Sequence, residues 1–141
     1  MERLTGRCHC GNLTLEFETA IPLAQLQVRE DQCSFCRKHG VRTTSDPSGH
    51  LRISAREPEQ VIRYRFGLGT ADFMVCRRCG IYVAAVLSPD EGSAYATVNV
   101  NCFDRMAELT QTVASVSYEA ESASERIARR RARWTPARVD L

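Results

Sequence analysis

No apolar run in the chain approaches the roughly 18 residues that a membrane-spanning helix requires, so no membrane is expected as its partner. The first residues, MERLTGRCHCG, lack the apolar stretch of a secretory signal, and the expected location is therefore the cytoplasm, where thiols stay reduced. Repeats and low-complexity linkers are absent, which argues against an internal domain boundary. A strong charge of either sign is missing too: the formal net charge is +2, too small to imply nucleic acid or an acidic surface. Aromatic residues make up only 7%, and the basic excess is confined to residues 121–141, with six arginines against three acids. A nucleic-acid-binding zinc ribbon is the weakest functional reading on both counts.

What is present is ordinary globular material, 43% hydrophobic and 26% charged over 141 residues, enough for one domain with a true core. Leu13, Leu15 and Phe17 alternate with polar residues, the period-two signal of a half-buried strand, and Ala24, Leu26 and Val28 repeat it. Further strands are expected at residues 51–55, 61–66, 72–75 and 94–100. Residues 81–87 form a nearly continuous apolar run, as in a central strand covered on both faces. Turn chemistry separates them at 45–49, 67–69 and 88–92. A short turn of helix is expected at 104–109. One longer helix is expected after Ser124 as cap, with Glu125 in its first turn and Pro136 as its stop, docking through Ile127 and Trp134. The expected class is all-β with a short peripheral helix at the C-terminus.

Seven cysteines is an odd number, and six of them fall in close pairs, which reads as metal ligation rather than as a disulfide framework. Cys8-x-Cys10 and Cys76-x-x-Cys79 are each followed by glycine, Gly11 and Gly80, where the backbone can curl so that two sulfurs face one ion. A four-sulfur zinc site of this kind is closed to substrate and contributes folding free energy. The middle pair, Cys33 and Cys36, precedes the cationic run Arg37, Lys38, His39 and has Asp31 as the nearest further ligand. A site with an open position there would be the reactive one. A redox pair and a site that no longer binds metal are the alternatives.

Gly6-Arg7-Cys8-His9-Cys10-Gly11-Asn12-Leu13, Cys33-Ser34-Phe35-Cys36-Arg37-Lys38 and Phe73-Met74-Val75-Cys76-Arg77-Arg78-Cys79-Gly80 together resemble the motifs of the glutathione-dependent formaldehyde-activating enzyme family, which includes centromere protein V-like proteins. The resemblance covers roughly residues 5–105, in the same order and spacing, and implies an Mss4-like fold, zinc-stabilised. It implies a structural zinc on Cys8, Cys10, Cys76 and Cys79, and a second, catalytic zinc in the central motif. That motif normally reads Cys-x-Cys-x-x-Cys; its last two cysteines match Cys33 and Cys36, and its first falls on Asp31. The implied reaction is carbon–sulfur lyase chemistry, adding glutathione or a similar thiol to a small aldehyde. A non-catalytic binding module that keeps only the structural zinc is the competing reading. Residues 1–120 are expected to form the zinc-binding domain, and 121–141 a basic helix and tail packed on it.

The remaining candidates read more plainly. Cys102 is expected to be a small buried residue, with a place near the second metal as the alternative. His39 is a candidate fourth ligand or proton shuttle, whereas His9 and His50 read as surface residues. Arg126, Arg129, Arg130, Arg131 and Arg133 read as a solvated helix face, partly offset by Glu121 and Glu125.

Overall fold

The computed structural model describes residues 1–141. The elements in chain order are β1 (Glu2–Arg7), β2 (Leu13–Thr19), β3 (Arg29–Asp31), α1 (Ser34–His39), β4 (Thr43–Thr44), β5 (His50–Ala55), β6 (Val61–Tyr64), β7 (Asp72–Cys76), β8 (Tyr82–Leu87), β9 (Tyr95–Asn99), β10 (Ala114–Val116), α2 (Ala123–Arg133) and β11 (Thr135–Asp140). The class is all-β: eleven strands hydrogen-bond into one branched sheet, and only two helices accompany it.

The branching explains the shape. One arm runs β1–β2–β5, all antiparallel, with Leu15 opposite Ile53 and Phe17 opposite Leu51. The other is the meander β6–β7–β8–β9. Strand β11 joins them: Thr135 and Pro136 pair antiparallel with β9, and the next residues pair parallel with β5. Beside β11 on the same edge of β9 lies β4, which leads through β3 to β10. Buried Asp46 fixes this junction, accepting from the Thr19 hydroxyl at 2.6 Å while its own N–H donates to the Thr135 hydroxyl at 2.8 Å.

Burial follows the pleat. Leu13, Leu15, Phe17, Leu51 and Ile53 of one arm pack with Met74, Val86, Ala96 and Val98 of the other in a cluster of 21 buried residues. A second cluster of eight, including Phe73, Tyr82, Ala85, Leu87 and Trp134, uses the alternate side chains of β7 and β8. Strand β8 is thus buried along its whole length, which is why it is apolar without alternation.

Several expectations are corrected. Ala24, Leu26 and Val28 do not lie on a strand; a 3₁₀ turn spans Leu23–Gln25, and the strand that follows, β3, is made of Arg29, Glu30 and Asp31. Leu26 and Val28 are buried all the same, so apolar spacing reported burial rather than strand. Ser122, not Ser124, caps α2: its hydroxyl accepts from the Glu125 N–H, and the Glu125 carboxylate accepts from the Ser122 N–H. Beyond α2 the chain forms β11 inside the sheet. No helix is long and apolar enough to cross a membrane.

Candidate metal centres

Two hairpin tips build the first centre. Cys8 and Cys10 lie between β1 and β2, Cys76 ends β7, and Cys79 lies between β7 and β8. Each tip closes the same way: the Cys8 N–H donates to the Leu13 carbonyl and the Cys76 N–H to the Ile81 carbonyl, both at 3.0 Å. Gly11 and Gly80 then turn back with φ of 85° and 78°, a conformation costly for a residue with a Cβ, and donate to the Cys8 and Cys76 carbonyls. The four sulfurs gather within 4.8 Å of one another. Cys8 and Cys10 Sγ are 3.7 Å apart, Cys10 and Cys76 Sγ 3.6 Å. Four sulfurs held at about 2.3 Å from one ion in a tetrahedron stand about 3.7 Å from each other, so both of these distances match such an ion and the donor set fits it.

The thiols of this centre are held unequally: Cys79 is lowered, whereas burial raises Cys8 and Cys76. Burial works to raise the Cys79 thiol, but N–H donors from Cys10 and Ile81 and the neighbouring thiols outweigh it and bring it down to about 6. Cys76, driven up chiefly by burial, is pushed to about 12. The Leu13 N–H points at Cys8 Sγ from 3.3 Å, another donor to sulfur. Cys102 is buried, and its thiol is pushed up to about 12 by burial and by the charges of Cys8 and Cys79. It shares a buried cluster with Cys8 and Cys76 of this centre.

Asp31 at the end of β3 and Cys33 and Cys36 around the start of α1 form the second centre, their ligand atoms again within 4.8 Å of each other. The turn is fixed locally: Asp31 Oδ1 accepts from the Cys33 N–H at 2.8 Å, and Cys33 Sγ accepts from the Cys36 N–H at 3.3 Å. Gly40, with φ of 57°, ends α1. The Cys33 thiol is lowered to about 7, mainly by a hydrogen bond from the Cys36 thiol, and Cys36 is raised by sharing that proton and by burial. Phe35 anchors the helix edge-on against Phe73 and Tyr82, with ring centroids 4.9 and 5.1 Å away. His39 is exposed and stacks on Phe35 at 4.4 Å, outside the ligand group.

These three residues line a cavity of about 380 Å³ that opens to solvent. Its far wall is the surprise. Arg126, Arg129 and Arg130 of α2 line it together with Tyr118 and Trp134, so this face of the helix is not solvated. Arg129 donates to Glu121 at 2.9 and 3.1 Å and lies over the Tyr118 ring. Arg130 is only 8% exposed, its guanidinium over the Trp134 ring and Nη1 donating to the Thr70 hydroxyl at 2.7 Å. Arg131 and Arg133 do face solvent. The spacing is consistent with this: Arg126, Arg130 and Trp134 fall four residues apart along one face of the helix.

Comparison with known proteins agrees with this geometry. Residues 3–120 match the family described as glutathione-dependent formaldehyde-activating enzyme. The chain belongs to that family. Its fold is accordingly of the Mss4-like type, with both cysteine groups of the family motifs brought together and capable of holding a metal. A crystal structure of a Rhodobacter sphaeroides protein, solved by structural genomics, is 31% identical, with a TM-score of 0.59 over 79% of this chain and 99% of the other. No curated protein matches the chain significantly. The family match ends at residue 120, just before α2, so the arginine wall lies outside it.

Proposed function

We propose that the chain is a zinc-dependent carbon–sulfur lyase that joins a thiol, glutathione or a similar one, to a small aldehyde. The observation that carries this reading is the contrast in donor number and setting: Cys8, Cys10, Cys76 and Cys79 supply a full set of four sulfurs, while Asp31, Cys33 and Cys36 supply three ligands at the wall of an open cavity. Cys8, Cys10, Cys76 and Cys79 would hold a structural zinc, and Asp31, Cys33 and Cys36 a second. When bound there, the second zinc would supply a positive charge that favours the thiolate form of a substrate thiol.

The chain's own residues prepare that wall. The Cys33 N–H fixes one carboxylate oxygen of Asp31, and the Cys36 N–H fixes the Cys33 sulfur, so these two ligand atoms keep their orientation. Phe73, Tyr82 and Trp134 give the cavity an apolar, buried part of its lining. In the reaction the thiol adds across the aldehyde C=O: a C–S bond forms, the carbonyl π bond breaks, and the thiol proton ends on oxygen.

The test begins with elemental analysis of gently purified protein, where two zincs per chain are expected. Thiol-dependent adduct formation above the spontaneous rate is then expected from the zinc-replete protein; a rate no greater than the spontaneous one rejects the reading. Replacing Asp31 with Cys should tighten the second centre, and unchanged metal content on that replacement argues against Asp31 as a ligand. One observation favours the competing reading, a non-catalytic module with a single structural zinc: Asp31 is already engaged by the Cys33 N–H, so the turn is held without an ion. One zinc per chain would select it.

A further inference from the structure

The three arginines along the cavity are not equivalent. Arg129 is neutralised by Glu121, and Arg126 gives Nη2 to the Tyr118 carbonyl at 2.7 Å and lies 3.6 Å from the same Glu121. Arg130 alone of the three forms no ion pair: its one side-chain polar partner is the Thr70 hydroxyl, and its Nε, like that of Arg126, is buried without a hydrogen-bond acceptor. A guanidinium taken from water without an anion is destabilising, and a fold keeps one where a ligand supplies the missing charge. Trp134 and Thr70 hold the planar fork in place beforehand, which lowers the ordering cost of binding. The cavity that Arg130 lines is the one that Asp31, Cys33 and Cys36 line.

We propose that Arg130, aimed by Thr70, is a carboxylate-binding subsite, so that one member of the substrate pair is a small organic anion, its carboxylate on Arg130 and its reacting group towards Cys33 and Cys36. This rests on the reading of the cavity as a thiol–aldehyde site. A planar, bidentate fork matches a carboxylate, and a buried setting strengthens the pair. The helix that carries Arg130 lies beyond the family match, which ends at residue 120.

Calorimetric binding to the purified full chain tests it, with two pairs of probes: mercaptoacetate against 2-mercaptoethanol, and glyoxylate against acetaldehyde. The pair that shows the preference identifies whether the thiol or the aldehyde carries the charge. The anion is expected to bind at least about tenfold more tightly than its neutral counterpart in that pair. The preference should vanish in Arg130→Met, which keeps an apolar stem against Trp134, should shrink in Arg130→Lys and Thr70→Val, and should survive in Arg129→Met. Equal binding of charged and neutral probes by the unaltered protein overturns the proposal. So does an Arg130→Met protein that folds and keeps the preference, or one that loses metal and not anion affinity, since Arg130 would then be a counter-ion of the centre. If Arg130→Met does not fold, the Thr70→Val and Arg130→Lys proteins decide by the same criterion. Arg130-dependent anion binding without adduct formation would reject the lyase reading and leave the subsite standing; adduct formation without it would do the reverse.

Discussion

The two cysteine groups use the same chemistry in opposite surroundings. The first is tied to both arms of the sheet and to its larger core: Cys8 and Cys76 are buried among the residues that join β1–β2 to β7–β8. The second is local, three residues within one turn between β3 and α1, and it looks out on a cavity. Ligands distant in sequence couple an ion to folding, because they meet only when the fold exists. Ligands close in sequence need less of the fold to meet. On the reading proposed above, position along the chain separates a fastening from a reactive centre.

Removing the first centre is the most severe way to test that separation. Cys76→Ser is expected to abolish the cooperative unfolding transition, an effect comparable with the whole stability of such a domain, about 5–15 kcal/mol, as read by circular dichroism. Retention of a native melt would break the comparison. Cys33→Ser should lower bound metal from two ions to one and remove adduct formation while leaving the melting transition nearly in place. A chelator titrated against the native protein should accordingly release one ion before any loss of β signal, and simultaneous release would show that the centres are not independent. Gly80→Ala forces a Cβ into left-handed backbone at one tip and is expected to cost about 1–2 kcal/mol, without touching the second centre. Smallest is Ser122→Ala, about 1 kcal/mol through the lost cap of α2, with metal content at both centres unchanged.

Much of the first centre was legible because its signals are local: a glycine after each cysteine pair, and apolar alternation in β2 on one side and the unbroken apolar run of β8 on the other. The open site was legible only in part. Asp31, Cys33 and Cys36 announce themselves by spacing, but the wall opposite does not, since a helix rich in arginine reads as solvated until it is known what it faces. Burial of Arg130 depends on Thr70 and Trp134, which are distant in sequence or carry no polar signal. Strand β11 was hidden for a similar reason. Its residues, Thr-Pro-Ala-Arg-Val-Asp, have weak alternation, and it owes its place to two partners, β5 and β9, rather than to its own propensity. The charged strand β3 is held likewise, by β4 and β10.

Strand β11 is the only strand that bonds the β1–β2–β5 arm to the rest of the sheet. Hairpins such as β1–β2 and β7–β8 close over short distances and form early, but no strand pairing links β5 to β9 until a segment far along the chain slots between them. During synthesis the polypeptide must therefore emerge through Asp140 before the sheet is complete, and until then β5 and β9 each present an unpaired edge to any neighbouring chain.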